Sequence, residues 1–207
     1  MNIVIISDTH GKHQSLGTLA GDVLIHCGDV SLSGSETSSD IENLDRWFSR
    51  QAFRLILCIG GNHDFELEER TARKAPIFRH ATYLVDQAVA FEGVRFYGAP
   101  WVPELRQWAH YRDPLSLARK WAAIPEATDV LVTHTPPFGI LDRSTSGKHC
   151  GCPMLRERLK ALRLRLHCFG HIHASAGLEA RDGTAFINAS MVDRTYNVVR
   201  QPHVFVL

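Results

Sequence analysis

Gly60-Gly61-Asn62-His63-Asp64 directly follows an apolar run of strand length, Phe53-Arg54-Leu55-Ile56-Leu57-Cys58-Ile59. Two glycines allow the backbone to turn sharply where the strand ends. The turn then presents an amide oxygen, an imidazole and a carboxylate side by side. Because ligands of α/β proteins bind at the carboxyl ends of strands, this stretch predicts a functional site. A plain turn with incidental polar residues is the alternative.

The same pattern recurs at four other predicted strand ends. The polar residues that follow an apolar run there are Asp8 with His10, Asp29, His134, and His171 with His173. In an extended chain residues i and i+2 lie on one side, so the two pairs each point at one place. A single histidine at a strand end is usually structural, but five such strand ends together indicate a shared site.

These side chains supply carboxylates, imidazoles and one amide oxygen, without a thiolate. Mixed oxygen and nitrogen sites suit Mn, Fe, Zn, Ni or Co rather than a structural zinc held by cysteines. The ligands are too many for one tetrahedral ion and about right for two. Two ions about 3.5–4 Å apart suit in-line attack on phosphorus. The residues therefore predict two divalent metal ions as cofactors.

Composition predicts one globular domain over residues 1–207, because the chain is 44% hydrophobic and long enough for a substantial core. A net charge of +1 gives no strong field for a polyanion. No apolar run approaches the roughly 20 residues that span a bilayer, and we expect no membrane partner. The N-terminus lacks a basic segment, and the five cysteines have no disulfide spacing, so we expect no signal peptide and a cytoplasmic location.

Apolar runs predict early strands that alternate with helices and late strands that pair as hairpins. The predicted strands cover residues 2–7, 22–27, 53–59, 88–91, 94–97, 129–133, 166–169, 178–180, 184–188 and 204–207. A Ser- and Gly-rich loop is predicted for residues 31–39. Leu155, Leu159, Leu162 and Leu166 predict a helix that leads into the strand at residues 166–169. This mixture predicts an α/β fold with two mixed β-sheets packed as a sandwich and flanked by helices, not a simple doubly wound sheet.

Five blocks of this sequence together resemble the calcineurin-like metallophosphoesterase signature. In chain order they are Asp8-Thr9-His10, Gly28-Asp29, Gly61-Asn62-His63-Asp64, Thr133-His134 and Gly170-His171-Ile172-His173. They span nearly the whole chain. Tyr97-Gly98-Ala99-Pro100-Trp101, His134-Thr135-Pro136-Pro137 and Phe186-Ile187-Asn188-Ala189-Ser190 further resemble the metallophosphoesterase-domain-containing branch. The resemblance implies a four-layer αββα fold with metals at the strand ends.

The resemblance also implies a role for each matching residue. Asp8, His10 and His173 would hold one metal, Asn62, His134 and His171 the other, and Asp29 would bridge both. His63 would protonate the leaving alkoxide after in-line attack by a metal-bridging hydroxide. Asp64 would orient His63, although capping of the following helix is an equal alternative. Manganese is the metal we expect first.

Three further residues are candidates for substrate contacts. Trp101 lies between prolines in an aromatic loop, where it either stacks on a base or packs in the core. Arg143 lies in the long loop after His134 and could meet a substrate phosphate. His26 at the end of its strand either contacts substrate or supports the ligands from behind.

We therefore expect a cytoplasmic phosphoesterase whose substrate is a small phosphodiester, including nucleotide-type diesters. The alternatives are a metal- and nucleotide-binding regulator with little turnover, a nuclease and a protein phosphatase. The basic helix surface is by default a solvated face, and nucleic acid is a less favoured partner. Its charged residues are Arg156, Arg158, Lys160, Arg163 and Arg165.

Overall fold

The computed structural model of the protein describes residues 1–32 and 38–207. The loop predicted for residues 31–39 lies largely outside this range. The strands, in chain order, are β1 (Asn2–Ile6), β2 (Val23–His26), β3 (Leu55–Cys58), β4 (Thr82–Tyr83), β5 (Gln87–Phe91), β6 (Val94–Ala99), β7 (Val130–Thr133), β8 (Leu166–Phe169), β9 (Gly177–Arg181), β10 (Thr184–Asn188) and β11 (His203–Val206). The helices are α1 (Ser38–Phe48), α2 (Phe65–Ala72), α3 (Pro114–Ala122) and α4 (Pro153–Leu159).

The described strands form two mixed sheets. The first has the order β11-β1-β2-β3-β4, in which β1 to β4 run parallel and β11 is antiparallel. The second has the order β5-β6-β7-β8-β10-β9, in which β6, β7, β8 and β10 run parallel between two antiparallel edge strands. Parallel neighbours place their carboxyl ends at the same edge of a sheet, so each sheet has one edge at which polar turns collect.

Alternation along the strands explains how the layers pack. Ile3 and Ile5 of β1 join the apolar core between the sheets, whereas Val4 and Ile6 pack outward. The outward residues of the first sheet pack with α1 and α2. Those of the second sheet, such as Leu131, pack with α3 and α4. Side chains of a strand alternate between its two faces, so four layers follow from this apolar pattern, and the predicted αββα sandwich is confirmed.

The predicted helix after the long loop is shorter than its leucine pattern indicates. It ends at Leu159, and Leu162 lies beyond it, buried in the turn that leads to β8. Leu166 begins β8, which matches the predicted strand at residues 166–169. Leu162 keeps a helical spacing from Leu159 without being helical, because the turn also buries its apolar side chain. No helix in residues 1–32 or 38–207 is long and apolar enough to cross a membrane.

The two sheets meet at the edge that carries the polar turns. Ser7, directly after β1, forms a parallel bridge with Ser190, two residues after β10. The His134 imidazole after β7 also reaches across, because its Nδ1 lies 2.9 Å from the Cys27 carbonyl after β2. The strand ends of both sheets therefore open onto one shared cleft.

Candidate metal centre

The turns after β1 and β2 lock together by backbone hydrogen bonds. The N–H of Asp8 donates to Gly28 O at 2.9 Å, and the N–H of His10 donates to Asp29 O at 3.1 Å. Asp8, His10 and Asp29 all have positive φ, between 44° and 53°. Such backbone is uncommon outside glycine and collects at functional sites. The turns are therefore held in a strained shape that points both carboxylates into the cleft.

Two glycines let other turns approach these carboxylates closely. A Cβ on Gly170 would lie 2.1 Å from Asp8 Oδ2, and a Cβ on Gly61 would lie 2.3 Å from Asp29 Oδ1. Both distances are far below van der Waals contact, so neither position can take a side chain without displacing its carboxylate. These two motif glycines are therefore needed so that neighbouring turns can pack against the Asp8 and Asp29 carboxylates.

One group of ligand atoms comes from Asp8, His10 and His173, within 4.8 Å of one another. His173 Nε2 lies 3.4 Å from Asp8 Oδ1 and 3.4 Å from His10 Nε2. The Asp8 carboxylate also accepts the backbone N–H of His171 and, at 2.7 Å, the hydroxyl of Ser190. Asp8 is thus held by both sheets while one face of its carboxylate stays available to a cation.

A second group comes from Asp29, His134 and His171, again within 4.8 Å. His134 Nε2 lies 3.0 Å from Asn62 Oδ1 and 3.4 Å from Asp29 Oδ2. Asp29 also lies 3.8 Å from His10 Nε2 of the first group. Its carboxylate is therefore shared between the two groups, as the sequence predicts for a bridging ligand.

The imidazole tautomers make the centre suited to cations. Nδ1 of His10 lies 2.9 Å from Ser31 O, and Nδ1 of His134 lies 2.9 Å from Cys27 O. A carbonyl only accepts, so each Nδ1 carries a proton and each Nε2 is the nitrogen that can coordinate a cation once it is deprotonated. His173 Nδ1 similarly donates to Asp193 O at 3.3 Å. The Nε2 atoms of His10 and His173 face each other at 3.4 Å beside Asp8, so these residues fit a bound metal.

Charge and burial shift the pKa of Asp8, His10 and His171 in the directions that metal binding needs. For His173, burial alone would lower the pKa, but the hydrogen bond and charge of Asp8 outweigh burial and raise it. Burial alone would raise the pKa of Asp8, but its hydrogen bond to His173 and the nearby imidazoles hold it well below its usual range. Burial lowers the pKa of His10, and it lowers that of His171 to about 4. Ionised carboxylates and neutral imidazoles are the forms that coordinate metals.

His134 shows how strongly the cleft attracts positive charge. Burial lowers the pKa of this imidazole, but the charge and hydrogen bond of Asp29 outweigh burial and raise the pKa to about 9. A proton is the smallest cation that can occupy the space between these two side chains. A divalent ion would displace it.

His63 lies at the mouth of the cleft, beside Asp29. Its backbone N–H donates to Asp29 Oδ1 at 2.9 Å, and its Nε2 lies 3.9 Å from Asp29 Oδ2. Its Nδ1 has no hydrogen-bond partner among the described residues. The ring packs against Trp108 at a centroid distance of 4.7 Å. The imidazole thus lies near both ligand groups.

The Asp64 side chain does not cap α2, which corrects one of the two sequence expectations, whereas its role in orienting the His63 ring stays a prediction. Its buried carboxylate accepts backbone N–H groups of Gly61 at 2.7 Å, Ser31 at 3.1 Å and Val30 at 3.3 Å. No side-chain cap bond to α2 is formed. Asp64 therefore ties the Asp29 turn to the Asn62 turn, a role that needs contacts 34 residues apart in sequence.

His26 is fully buried behind the ligands, so the expectation that it contacts substrate is wrong. Its Nδ1 accepts the N–H of Gly28 at 3.3 Å, and its Nε2 lies 2.9 Å from Thr9 Oγ1. Burial lowers its pKa to about 3. The neutral ring supports two ligand turns from below, which is the alternative that the sequence left open.

Trp101 and Arg143 differ in how far they can reach a substrate. Trp101 is only 4% exposed, donates its indole N–H to Asp86 at 2.6 Å and is covered by the cations of Arg112 and Lys120. This position favours packing over stacking on a base. Arg143 is exposed and donates to Gly147 O, and its own carbonyl accepts the hydroxyl of Ser175, two residues after His173. Its loop is thus tied to the rim of the centre.

Three residues at the centre carry no role in the sequence prediction. Trp108 packs on His63, and Tyr196 lies 4.7 Å from the His10 ring. Arg200 donates to the carbonyls of Ser190 and His173. The sequence predicts an aromatic loop that contains Trp108, but it does not show that Trp108 rather than Trp101 faces the cleft. Tyr196 and Arg200 have no local signal, because only folding brings the late loop to the early turns.

Comparisons with known proteins agree with this architecture. The sequence model of the calcineurin-like phosphoesterase family matches residues 1–175. A UPF0046 protein of Caenorhabditis elegans is 32% identical, with 100% of this chain and 75% of that protein covered. Human metallophosphoesterase domain-containing protein 1 is 30% identical, with 99% of this chain and 70% of that protein covered.

Solved structures show the same fold at low identity. A protein of Thermus thermophilus superposes with a TM-score of 0.65 at 12% identity, over 99% of this chain and 97% of that one. Phosphopantetheinyl hydrolase of Mycobacterium tuberculosis gives a TM-score of 0.59 at 15% identity, over 91% and 88%. With the family match over most of its length, this chain belongs to the calcineurin-like phosphoesterase family.

Proposed function

We propose that the protein is a cytoplasmic phosphodiesterase that uses two divalent metal ions, with manganese the first candidate. One observation carries the proposal. Two groups of carboxylate and imidazole ligands lie in one cleft, and the buried Asp29 belongs to the second group and lies 3.8 Å from His10 of the first. The family membership supports a metal-dependent phosphoester hydrolase. The five free cysteines, four of them buried, support a reducing compartment.

The ligands divide between the ions as the motif implies. Asp8, His10 and His173 would hold one ion, and Asn62, His134 and His171 the other, with Asp29 common to both. When bound, the pair supplies positive charge for the phosphoryl oxygens and activates water near neutral pH. The protein's own contribution is to fix these ligands through backbone carbonyls and turns, so that no reorganisation is needed during the reaction.

His63 is the group we assign to the departing alcohol. Its ring lies beside His10 and Asp29, its backbone is fixed by Asp29, and its Nδ1 is unpartnered among the described residues. A protonated imidazole there can donate to the leaving oxygen as the ester bond breaks. An alkyl ester needs this help more than an aryl ester, because an alkoxide is a poorer leaving group than a phenolate.

The test is hydrolysis of bis-p-nitrophenyl phosphate by metal-stripped protein, to which Mn, Ni, Co, Zn and Mg are added in turn. We expect metal-dependent turnover that exceeds that of p-nitrophenyl phosphate. His63→Ala should lose about a hundredfold or more on a diester with an alkyl leaving group, and less on the nitrophenyl diester, whose phenolate leaves without a proton. Asp29→Asn and His134→Ala should lose bound metal and activity together. His80→Ala is the control, because that imidazole is paired with Asp45 away from the cleft.

Full turnover in a metal-analysed Asp29→Asn protein would overturn the assignment. Faster monoester than diester turnover would leave a phosphoesterase but refute the diester preference. Tight metal and nucleotide binding without turnover by any metal would instead support the regulator alternative.

A further inference from the structure

Trp108 is an exposed ring at the edge of the metal centre. It is 37% exposed, whereas the other tryptophans are between 1% and 4% exposed. Its centroid lies 4.7 Å from that of His63 and 6.2 Å from that of Phe65. Large apolar side chains left in water beside a polar cleft often mark a binding surface.

The backbone holds this ring in place. The N–H of Trp108 donates to Leu105 O at 3.0 Å, and the N–H of the next residue, Ala109, donates to Asn62 O at 3.1 Å. Trp108 is therefore attached to the turn that carries both Asn62 and His63. An aromatic side chain fixed in advance loses little conformational entropy when a ligand stacks on it.

A second ring approaches His63 from the opposite group of ligands. Tyr196 lies 4.7 Å from His10, 5.8 Å from His173 and 6.2 Å from His63, measured between ring centroids. Its φ of 61° is a left-handed conformation that a tyrosine rarely adopts. The loop is tightened by Asp193, whose carboxylate accepts two backbone N–H groups. Tyr196 is thus placed over the centre at the cost of backbone strain.

The positions of the two rings define what part of a substrate they contact. His63 is assigned to the leaving oxygen, so the leaving group extends past His63 toward solvent. Trp108 and Tyr196 both contact the His63 ring, and both keep exposed or half-exposed surface. A flat ring attached to the leaving oxygen can stack there, whereas a compact alkyl group cannot use the face of an indole as well.

We infer that Trp108 and Tyr196 form an aromatic leaving-group site, so that the preferred substrates are phosphoesters of alcohols that carry a planar aromatic ring. This inference rests on the proposed function for the orientation of the ester. Stacking on one aromatic side chain corresponds to about a 5- to 150-fold difference in affinity. Trp108 therefore determines specificity, and the metal ligands determine the reaction.

The test measures binding without turnover. Phenylphosphonate and cyclohexylphosphonate have similar size and a P–C bond that is not hydrolysed, but only the first is flat. Calorimetric titration of manganese-loaded protein should show tighter binding of phenylphosphonate. Trp108→Leu should bind phenylphosphonate about 5- to 150-fold more weakly and should change cyclohexylphosphonate binding less than about threefold. Trp108→Phe should retain most of the preference for phenylphosphonate.

Equal loss of both ligands in Trp108→Leu would show that the ring only holds His63 in place, and would overturn the inference. Unchanged binding of both would overturn it as well. Tyr196→Leu gives an independent variant, with a smaller expected loss of the same selectivity. Because binding is measured directly, a preference for the flat ligand would support the aromatic site even if the protein hydrolysed no diester. Conversely, diester turnover without this preference would refute the aromatic site and leave the proposed function intact.

Discussion

Replacement of Asp64 by asparagine separates a structural role from a catalytic one. The Asp64 carboxylate accepts the N–H groups of Gly61, Ser31 and Val30 from two different ligand turns. Asparagine keeps the volume but offers one oxygen instead of two, so at least one buried N–H loses its partner. That loss costs about 1–3 kcal/mol, and weakening of the remaining charge-assisted bonds adds about 2 kcal/mol.

Asp64→Asn should therefore lower the free energy of unfolding by about 3–5 kcal/mol. For a chain of 207 residues this corresponds to a fall in Tm on the order of 10 °C. Differential scanning calorimetry of metal-stripped protein measures it without interference from bound ions. Manganese affinity should fall in the same variant, because the loosened turns carry Asp29 and Asn62.

The opposite result would identify Asp64 as a residue that acts through His63. A variant with unchanged Tm and manganese affinity, but with kcat reduced, would refute the structural explanation. Asp113→Asn is the matched control, because its carboxylate also accepts two backbone N–H groups, at the exposed start of α3. It should lose less stability than Asp64→Asn and bind manganese normally.

Three further predictions concern other parts of the centre and the core. Gly170→Ala should push the Asp8 carboxylate aside and weaken manganese binding about tenfold or more by calorimetry. Arg200→Ala removes the hydrogen bond to the His173 carbonyl and should weaken manganese binding about 10- to 100-fold. Burial lowers the pKa of His167 to about 3, so only the unfolded chain binds this proton between pH 6.5 and 3. His167 alone should lower the free energy of unfolding by about 2 kcal/mol from pH 7 to 5, in addition to the other buried histidines, and His167→Gln should remove that share of the pH slope in Tm.

Each of these has a control or a contrary result. Gly93→Ala strains a hairpin turn that has open space around it, and should leave metal binding intact. Arg54→Ala, the control for Arg200→Ala, removes an exposed ion pair with Glu92 and should also leave metal binding intact. An unchanged pH slope in His167→Gln would show that this ring does not carry the acid sensitivity.

The sequence by itself determined the layers and the chemical types at the centre. Continuous apolar runs such as residues 2–7 and 129–133 predicted strands, and the order of strands, helices and hairpins along the chain predicted the sandwich. Glycines and polar residues directly after these runs identified the turns. These signals are local, because each depends on neighbours within a few positions of the chain.

Only the tertiary structure decided how the turns support one another. Asp64 bonds to Val30 rather than to its own helix, Leu162 leaves the helix that its spacing suggested, and Tyr196 reaches His10 from the far end of the chain. Of two tryptophans in one loop, Trp101 is buried and Trp108 faces the cleft. These outcomes depend on packing between segments that are distant in sequence. The neighbours in the folded chain decide which of several possible contacts is most stable, and a local sequence pattern does not contain those neighbours.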